Sequence, residues 1–213
     1  EAQGSLFPTT RPARFTGKKV GTLSAAELGT QVHAALEDGN FEELRKLGLG
    51  AVEPWARERM QATDGVFREL AFEVPVEGEV IVGAMDRVVR TRTPSGVVSY
   101  ELLDYKVNLK HASDEDLRAR YALQMRLYAW ALGELEPEIK QGAPLRVLLV
   151  SLTPEGVREI PVDVGTSESR SSEARALALR AAALVRGSGD APARTGALCS
   201  QCDVRAFCPD AAI

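Results

Sequence analysis

Two acids and one cation offer the first readable chemistry. Asp86 lies near the end of a β-rich run (Val80, Ile81, Val82, then Val88 and Val89), and Asp104-Tyr105-Lys106 closes a second one (Val97, Val98, then Leu102 and Leu103). Thr93-Pro94-Ser95-Gly96 between them has the residues of a tight turn, so a hairpin is expected, with the carboxylates converging from neighbouring strands. Side chains alternate along a strand, so Asp104 and Lys106 share a face while Tyr105 points away. A carboxylate beside Leu102-Leu103 is costly to bury unless it is paired or bound to a metal. Two carboxylates and an ammonium on one surface suit metal-assisted phosphodiester cleavage. The acids hold Mg²⁺ or Mn²⁺, the metal polarises the phosphoryl oxygen and acidifies a water, and the lysine steadies the attacking water or the developing charge. On these residues alone a surface Asp–Lys pair on an edge strand is still the preferred reading, because Asp-x-Lys recurs by chance.

The elements that must position these groups are legible from periodicity and end signals. Ser24-Ala25-Ala26-Glu27 has the spacing of a capping box and predicts a helix to about Glu37, with Leu28, Val32, Ala35 and Leu36 on its apolar face and His33 beside Val32. Asp38-Gly39-Asn40 stops it, and further helix is expected over 41–46 and 52–62. Strand pattern covers 66–76, ahead of the hairpin. Ser113 followed by Asp114, Glu115 and Asp116 caps a long helix to about Leu135, with Leu117, Tyr121, Gln124, Tyr128 and Leu132 in one stripe. A buried strand over 145–152 turns at Thr153-Pro154-Glu155-Gly156 into a strand over 157–164. A helix over 168–186 comes last. The expected order is helices, three strands, a long helix, two strands and a helix, without internal repeat.

At 213 residues, with 45% hydrophobic and 26% charged residues, the chain is expected to form one α/β domain: a flexible leader over 1–20, a core over 21–190 and a cysteine-containing tail over 191–213 packing on it. The leader, with Arg11, Arg14, Lys18 and Lys19, reads first as a solvated linker. No apolar run nears the ~20 residues that span a bilayer, and no signal-peptide pattern opens the chain, so a cytoplasmic location without membrane association is expected. The first residue is Glu1 rather than Met, which suggests a processed chain or a domain of a longer protein. A net charge of −4 argues against a broad basic surface that grips nucleic acid, although a metal can supply positive charge locally. Neither a Walker-type phosphate loop nor G-x-G-x-x-G occurs, so an ATP-driven motor must lie outside this chain.

Five short motifs, in order, resemble the RecB-type branch of the PD-(D/E)XK nuclease superfamily, the module found in AddA/AddB-like helicase–nucleases. They are Gly29-Thr30-Gln31-Val32-His33, Arg68-Glu69-Leu70-Ala71-Phe72, Gly83-Ala84-Met85-Asp86-Arg87, Leu102-Leu103-Asp104-Tyr105-Lys106 and Gln124-Met125-Arg126-Leu127-Tyr128, and the resemblance covers roughly residues 22–208. It implies a restriction-endonuclease-like mixed central β-sheet flanked by α-helices. It also implies that His33, Asp86, Asp104 and the Tyr105 carbonyl hold the metal, Mg²⁺ or Mn²⁺, the imidazole tilting the set toward Mn²⁺. Asp86, Asp104, Lys106 and Glu69 would be the catalytic set, with Lys106 orienting the nucleophilic water and Glu69 supporting the outer shell or a second ion. Gln124 and Tyr128 match the family's Q-x-x-x-Y, one turn apart on a helix face, and with Tyr121 are expected to contact DNA. The implied activity is exonucleolytic hydrolysis of single-stranded DNA ends, fed by a helicase domain or subunit in DNA recombination and repair. The alternative is an inactive nuclease-like DNA-binding or scaffold module.

The tail carries Cys199, Cys202 and Cys208 as C-x₂-C-x₅-C, which resembles part of the iron–sulfur staple of some family members. A [4Fe–4S] cluster normally takes four protein ligands, and residues 1–32 hold no cysteine to supply the fourth. Zinc with an outside ligand and free thiols remain open alternatives.

Overall fold

The computed structural model describes residues 23–60, 65–107 and 112–187. The leader and the whole tail, with its three cysteines, therefore lie outside the described residues. The first helices are α1 (Ala25–Asp38), α2 (Phe41–Lys46) and α3 (Glu53–Met60). The sheet strands are β1 (Val66–Val76), β2 (Glu79–Arg92) and β3 (Val98–Val107), then β4 (Leu145–Thr153) and β5 (Gly156–Pro161), with α4 (Asp114–Leu135) and α5 (Pro137–Lys140) between the two groups and α6 (Ser167–Val185) last. The five strands pair in sequence order, antiparallel except for the parallel β3–β4 pair that the α4–α5 crossover demands. This is the mixed sheet flanked by helices that the motifs imply.

The parallel pair explains the densest apolar runs. Parallel strands are covered on both faces, and here Val147 and Leu149 join the core beneath α4 and α6, while Leu148, Val150 and Leu152 join the one beneath α1, α2 and α3. β3 splits likewise, with Tyr100 and Leu102 on the α4 side and Leu103 and Tyr105 on the α1 side. Each fully buried Leu or Val contributes about 1.5–3 kcal/mol relative to exposure, so α1 is anchored through Leu28, Val32, Ala35 and Leu36. The capping box forms as the spacing predicts: the Glu27 N–H donates to Ser24 Oγ and the Ser24 N–H to Glu27 Oε2.

Three expectations need correction. Asp86 is not near a strand end: β2 runs on to Arg92 and places it mid-strand. β5 stops at Pro161, which has no N–H for the ladder, rather than reaching residue 164. The core line of α4 is Leu117, Met125, Ala129 and Leu132, whereas Tyr121, Gln124 and Tyr128 are only partly buried along its border.

Period-2 alternation also fails where chemistry was expected. Met85 and Val88, of opposite parity, both face the α4 side, and Glu69, at the register position opposite Asp86, has φ +47°. Both strands of the β1–β2 ribbon reverse their facing at this step. A Glu in the left-handed region is strained, of order 1–3 kcal/mol, and persists only where its surroundings hold it.

Gly83 in the motif around Asp86 has a packing cause. It pairs with Phe72 across the ribbon, and a Cβ there would lie 2.6 Å from Phe72 Cζ. Gly83→Ala must displace a ring that packs edge-on against Tyr128. We expect it to lower stability by about 1–3 kcal/mol, read as a reduced urea midpoint at unchanged m; an unchanged midpoint would contradict this packing.

Candidate active site

The site forms where the β2–β3 ladder stops. The two strands pair from Arg92↔Val98 to Arg87↔Leu103 and then part: β2 continues with β1 alone, and β3 with β4 alone. The Tyr105 N–H on the freed edge of β3 donates instead to Asp86 Oδ2 at 2.5 Å. Glu69, Asp86 and Asp104 fall in one row of the register across this fork.

α1 covers one side of the fork and brings His33 to it. Its Nε2 lies 2.9 Å from the Tyr105 carbonyl, and Nδ1 lies 3.3 Å from Asp86 Oδ1. Burial alone would lower the imidazole pKa, but the hydrogen bond and charge of Asp86, then the Tyr105 carbonyl, outweigh it and raise the pKa. Glu69 shifts up as well, first through burial and then through the Asp86 charge. His33, Glu69 and Asp86 offer ligand atoms that all lie within 4.8 Å of one another. A recess of about 10 Å³ opens among these residues, Arg68, Arg87 and Tyr105, roughly the volume of one water-sized sphere.

Asp104 stands beside this trio rather than within it. It is 1% exposed, and its Oδ2 lies 2.6 Å from Lys106 Nζ, though outside hydrogen-bond geometry. Burial pushes its carboxyl up to about 6, Lys106 pulling against this and the Asp86 charge adding to it. Lys106 is raised in turn: Asp104 outweighs the effect of its burial. The ammonium also stacks 4.7 Å from the Tyr121 ring centroid.

α4 closes the other side. Gln124 Nε2 donates to the Tyr128 hydroxyl at 3.0 Å, and the Tyr128 pKa is raised first by burial, with Asp104 and Asp86 adding to the shift. The structure thus brings together His33, Glu69, Asp86, Asp104, Tyr105 and Lys106, with Tyr121, Gln124 and Tyr128 along the rim. Arg68 and Arg87, which line the recess, were given no role from sequence. The available signal was Arg87 itself, a cation inside the apolar β2 run; it is buried and donates to the Arg59 carbonyl at 2.6 Å.

A sequence profile of the PD-(D/E)XK nuclease superfamily matches residues 40–209. The chain belongs to the PD-(D/E)XK nuclease superfamily. Two solved structures resemble this nuclease domain. One is described as a candidate exonuclease from Eubacterium rectale, with TM-score 0.52 and 19% identity, covering 91% of this chain and 76% of that one. The other, the crystal structure of SSO0001, has TM-score 0.45 and 17% identity, covering 86% and 82%. No curated protein matches the chain in sequence.

Members of this superfamily use divalent metals, and the residues present fit one. Adjacent ligands of an octahedral ion at ~2.1 Å stand about 3 Å apart, the separation of His33 Nε2 and the Tyr105 carbonyl. His33, Glu69 and Asp86 converge within 4.8 Å, and the Asp86 charge raises the pKa of both Glu69 and Asp104, a repulsion that a cation relieves. Mn²⁺ at about 100 times its Kd should stabilise the protein by about 2.7 kcal/mol, seen as a raised Tm. Asp86→Ala should lose most of that rise, and an equal rise in the variant would place the ion elsewhere.

Proposed function

We propose that this nuclease is of the RecB type and degrades single-stranded DNA from its ends, using Mg²⁺ or Mn²⁺ held by His33, Asp86, Asp104 and the Tyr105 carbonyl. The observation that carries the reading is the Asp104–Lys106 pair on β3, set beside Asp86 and His33 at the fork. The description of the Eubacterium rectale protein as a candidate exonuclease supports the exonucleolytic mode. The motif order supports the RecB type, and with it a helicase domain or subunit supplying unwound strands in recombination and repair. That work belongs in the cytoplasm, and no described helix is long and apolar enough to cross a membrane.

When bound, the cation supplies charge neutralisation at the phosphoryl group and a water acidified toward neutrality. The chain's own residues do the rest. Asp86 is fixed by the Tyr105 N–H and Asp104 by its burial against Lys106, so the carboxylates do not reorganise when substrate arrives. Lys106 can donate a hydrogen bond to the attacking water or to a non-bridging phosphate oxygen, and Asp104 and Tyr121 keep its ammonium aimed. Hydrolysis then proceeds by direct attack of water on phosphorus, with no covalent enzyme intermediate. Gln124 and Tyr128 border the path of the strand and offer an amide and a ring for base and backbone contacts. Glu69 completes the anionic pocket behind Asp86.

The test is a digest of 5′- and 3′-labelled single- and double-stranded DNA with each metal. Asp104→Ala should abolish degradation while keeping the fold; wild-type cleavage by that variant would refute the assignment. Lys106→Ala should slow turnover about a hundredfold or more with much smaller loss of metal binding. The net charge of −4 gives a second expectation, weak DNA affinity with a shallow dependence on salt. About four phosphate contacts on a single strand give a log–log slope near −3, and a much steeper slope would reveal a basic surface absent from this reading.

A further inference from the structure

A second cavity, of about 430 Å³, lies toward the opposite end of the sheet, between the end of α5, the start of β4 and the β5–α6 loop. Its Leu145 is four register steps from Leu149, the β4 partner of Asp104, or roughly 13 Å at ~3.3 Å per residue. One wall is Arg170, only 7% exposed. Its Nη1 donates to the Gly165 carbonyl at 2.7 Å, but Nε has no partner, and among the described residues no carboxylate stands within ion-pair distance of the guanidinium. Arg59, Arg90 and Arg126, by contrast, each meet a glutamate. A buried cation without a counter-charge is among the costlier arrangements in a protein interior.

Its position sharpens the anomaly. α6 begins at Ser167, so Arg170 sits in its first turn, at the positive end of the helix dipole, where a cation is disfavoured. The nearby acids do not answer it: Asp163 accepts from the Gly165 N–H, and Glu168 is exposed. Lys140 lines the same cavity, its ammonium held by Glu134. Arg170 and a helix N-terminus thus line one concavity, beside the exposed Asp163 and the paired Lys140.

We propose that this cavity binds a phosphate-bearing small molecule, with the phosphate between Arg170 and the first turn of α6. A phosphate supplies the missing negative charge, matches the planar fork of a guanidinium and accepts from the amides of a helix N-terminus. The volume is within the range of small-molecule sites, and Leu145, Val162 and Val164 give an apolar wall for a nucleoside beyond the phosphate. This inference stands apart from the nuclease reading, since none of these residues belongs to the catalytic cluster.

Calorimetric titration of the whole chain in EDTA at constant ionic strength tests it, using inorganic phosphate and deoxyadenosine monophosphate in separate runs. EDTA removes divalent ions, so neither ligand is held at the catalytic cluster through a bridging cation. Saturable binding with one site per chain is expected, weakened at least about tenfold by Ser167→Asp, which sets a like charge against the phosphate. Arg170→Gln should have the same effect. Should it fail to fold, Ser167→Asp decides alone, because an acid in the first turn suits the helix. Tighter binding of the nucleotide makes a nucleotide the ligand, and equal binding makes it the free anion. No saturation in the wild type, or binding that Ser167→Asp leaves unchanged, overturns the proposal.

Discussion

The interruption of the β2–β3 ladder after Arg87↔Leu103 is the constraint on which the rest depends. A backbone N–H on a strand edge needs an acceptor, and the Tyr105 N–H finds it in the Asp86 carboxylate rather than in the backbone of β2. That single exchange marks the end of the pairing, where a small recess opens, and the Tyr105 carbonyl lies beside His33. Had the ladder continued, the backbone of β2 would close against β3 and the recess would not exist. The parity reversal at Met85–Val88 and the positive φ of Glu69 lie at the same step. The sheet therefore spends its irregularity in one place, where side chains of both faces reach a common recess.

The electrostatics follow from that geometry. Glu69, Asp86 and Asp104 stand in one register row, and two of the three are pushed toward the neutral form by burial and by their neighbours. Lys106 and His33 offset part of this: the Lys106 ammonium stands 2.6 Å from Asp104 Oδ2, and His33 Nδ1 3.3 Å from Asp86 Oδ1. Three acids gathered in one row, with the pKa values of Glu69 and Asp104 perturbed, have the character expected of a functional cluster.

Much of this was legible in the sequence, and the failures have identifiable causes. The strand, turn and cap signals located every strand and the long helices but not the short α5 (Pro137–Lys140); they work because the end residues act locally, and Ser24 with Glu27, Ser113 with Asp116, and Thr93 to Gly96 each make the bonds their spacing implies. Asp-x-Lys placed Asp104 and Lys106 on one face because β3 is regular there. What could not be read was the break in alternation at Asp86, since period-2 reasoning presumes a continuous ladder. Glu69 was named through the motif resemblance, but its approach to His33 and Asp86 could not be read from alternation for the same reason. The stripe on α4 joined two lines, because Tyr121, Gln124 and Tyr128 satisfy helical spacing as well as core residues do. Q-x-x-x-Y marked Gln124 and Tyr128 for the border of the site, where they lie partly buried, while Met125 and Ala129 take the core.

The division of labour between the two helical layers then explains why the site is rigid without being closed. α1 is held through Val32 and Leu36 on the Tyr105 side of β3, so His33 cannot move without disturbing a packed core. α4 is held through Met125, Ala129 and Leu132 on the other side, and the bidentate Arg126–Glu173 pair ties it to α6. Each layer thus fixes its half of the site from behind, and neither needs to cross the cleft to do so. Side chains held by the packing of their own helices and strands keep their positions before any substrate arrives. The same independence implies that changes in the α6 layer, remote from the fork, can alter stability while the positions of Asp86, Asp104 and His33 relative to one another are kept.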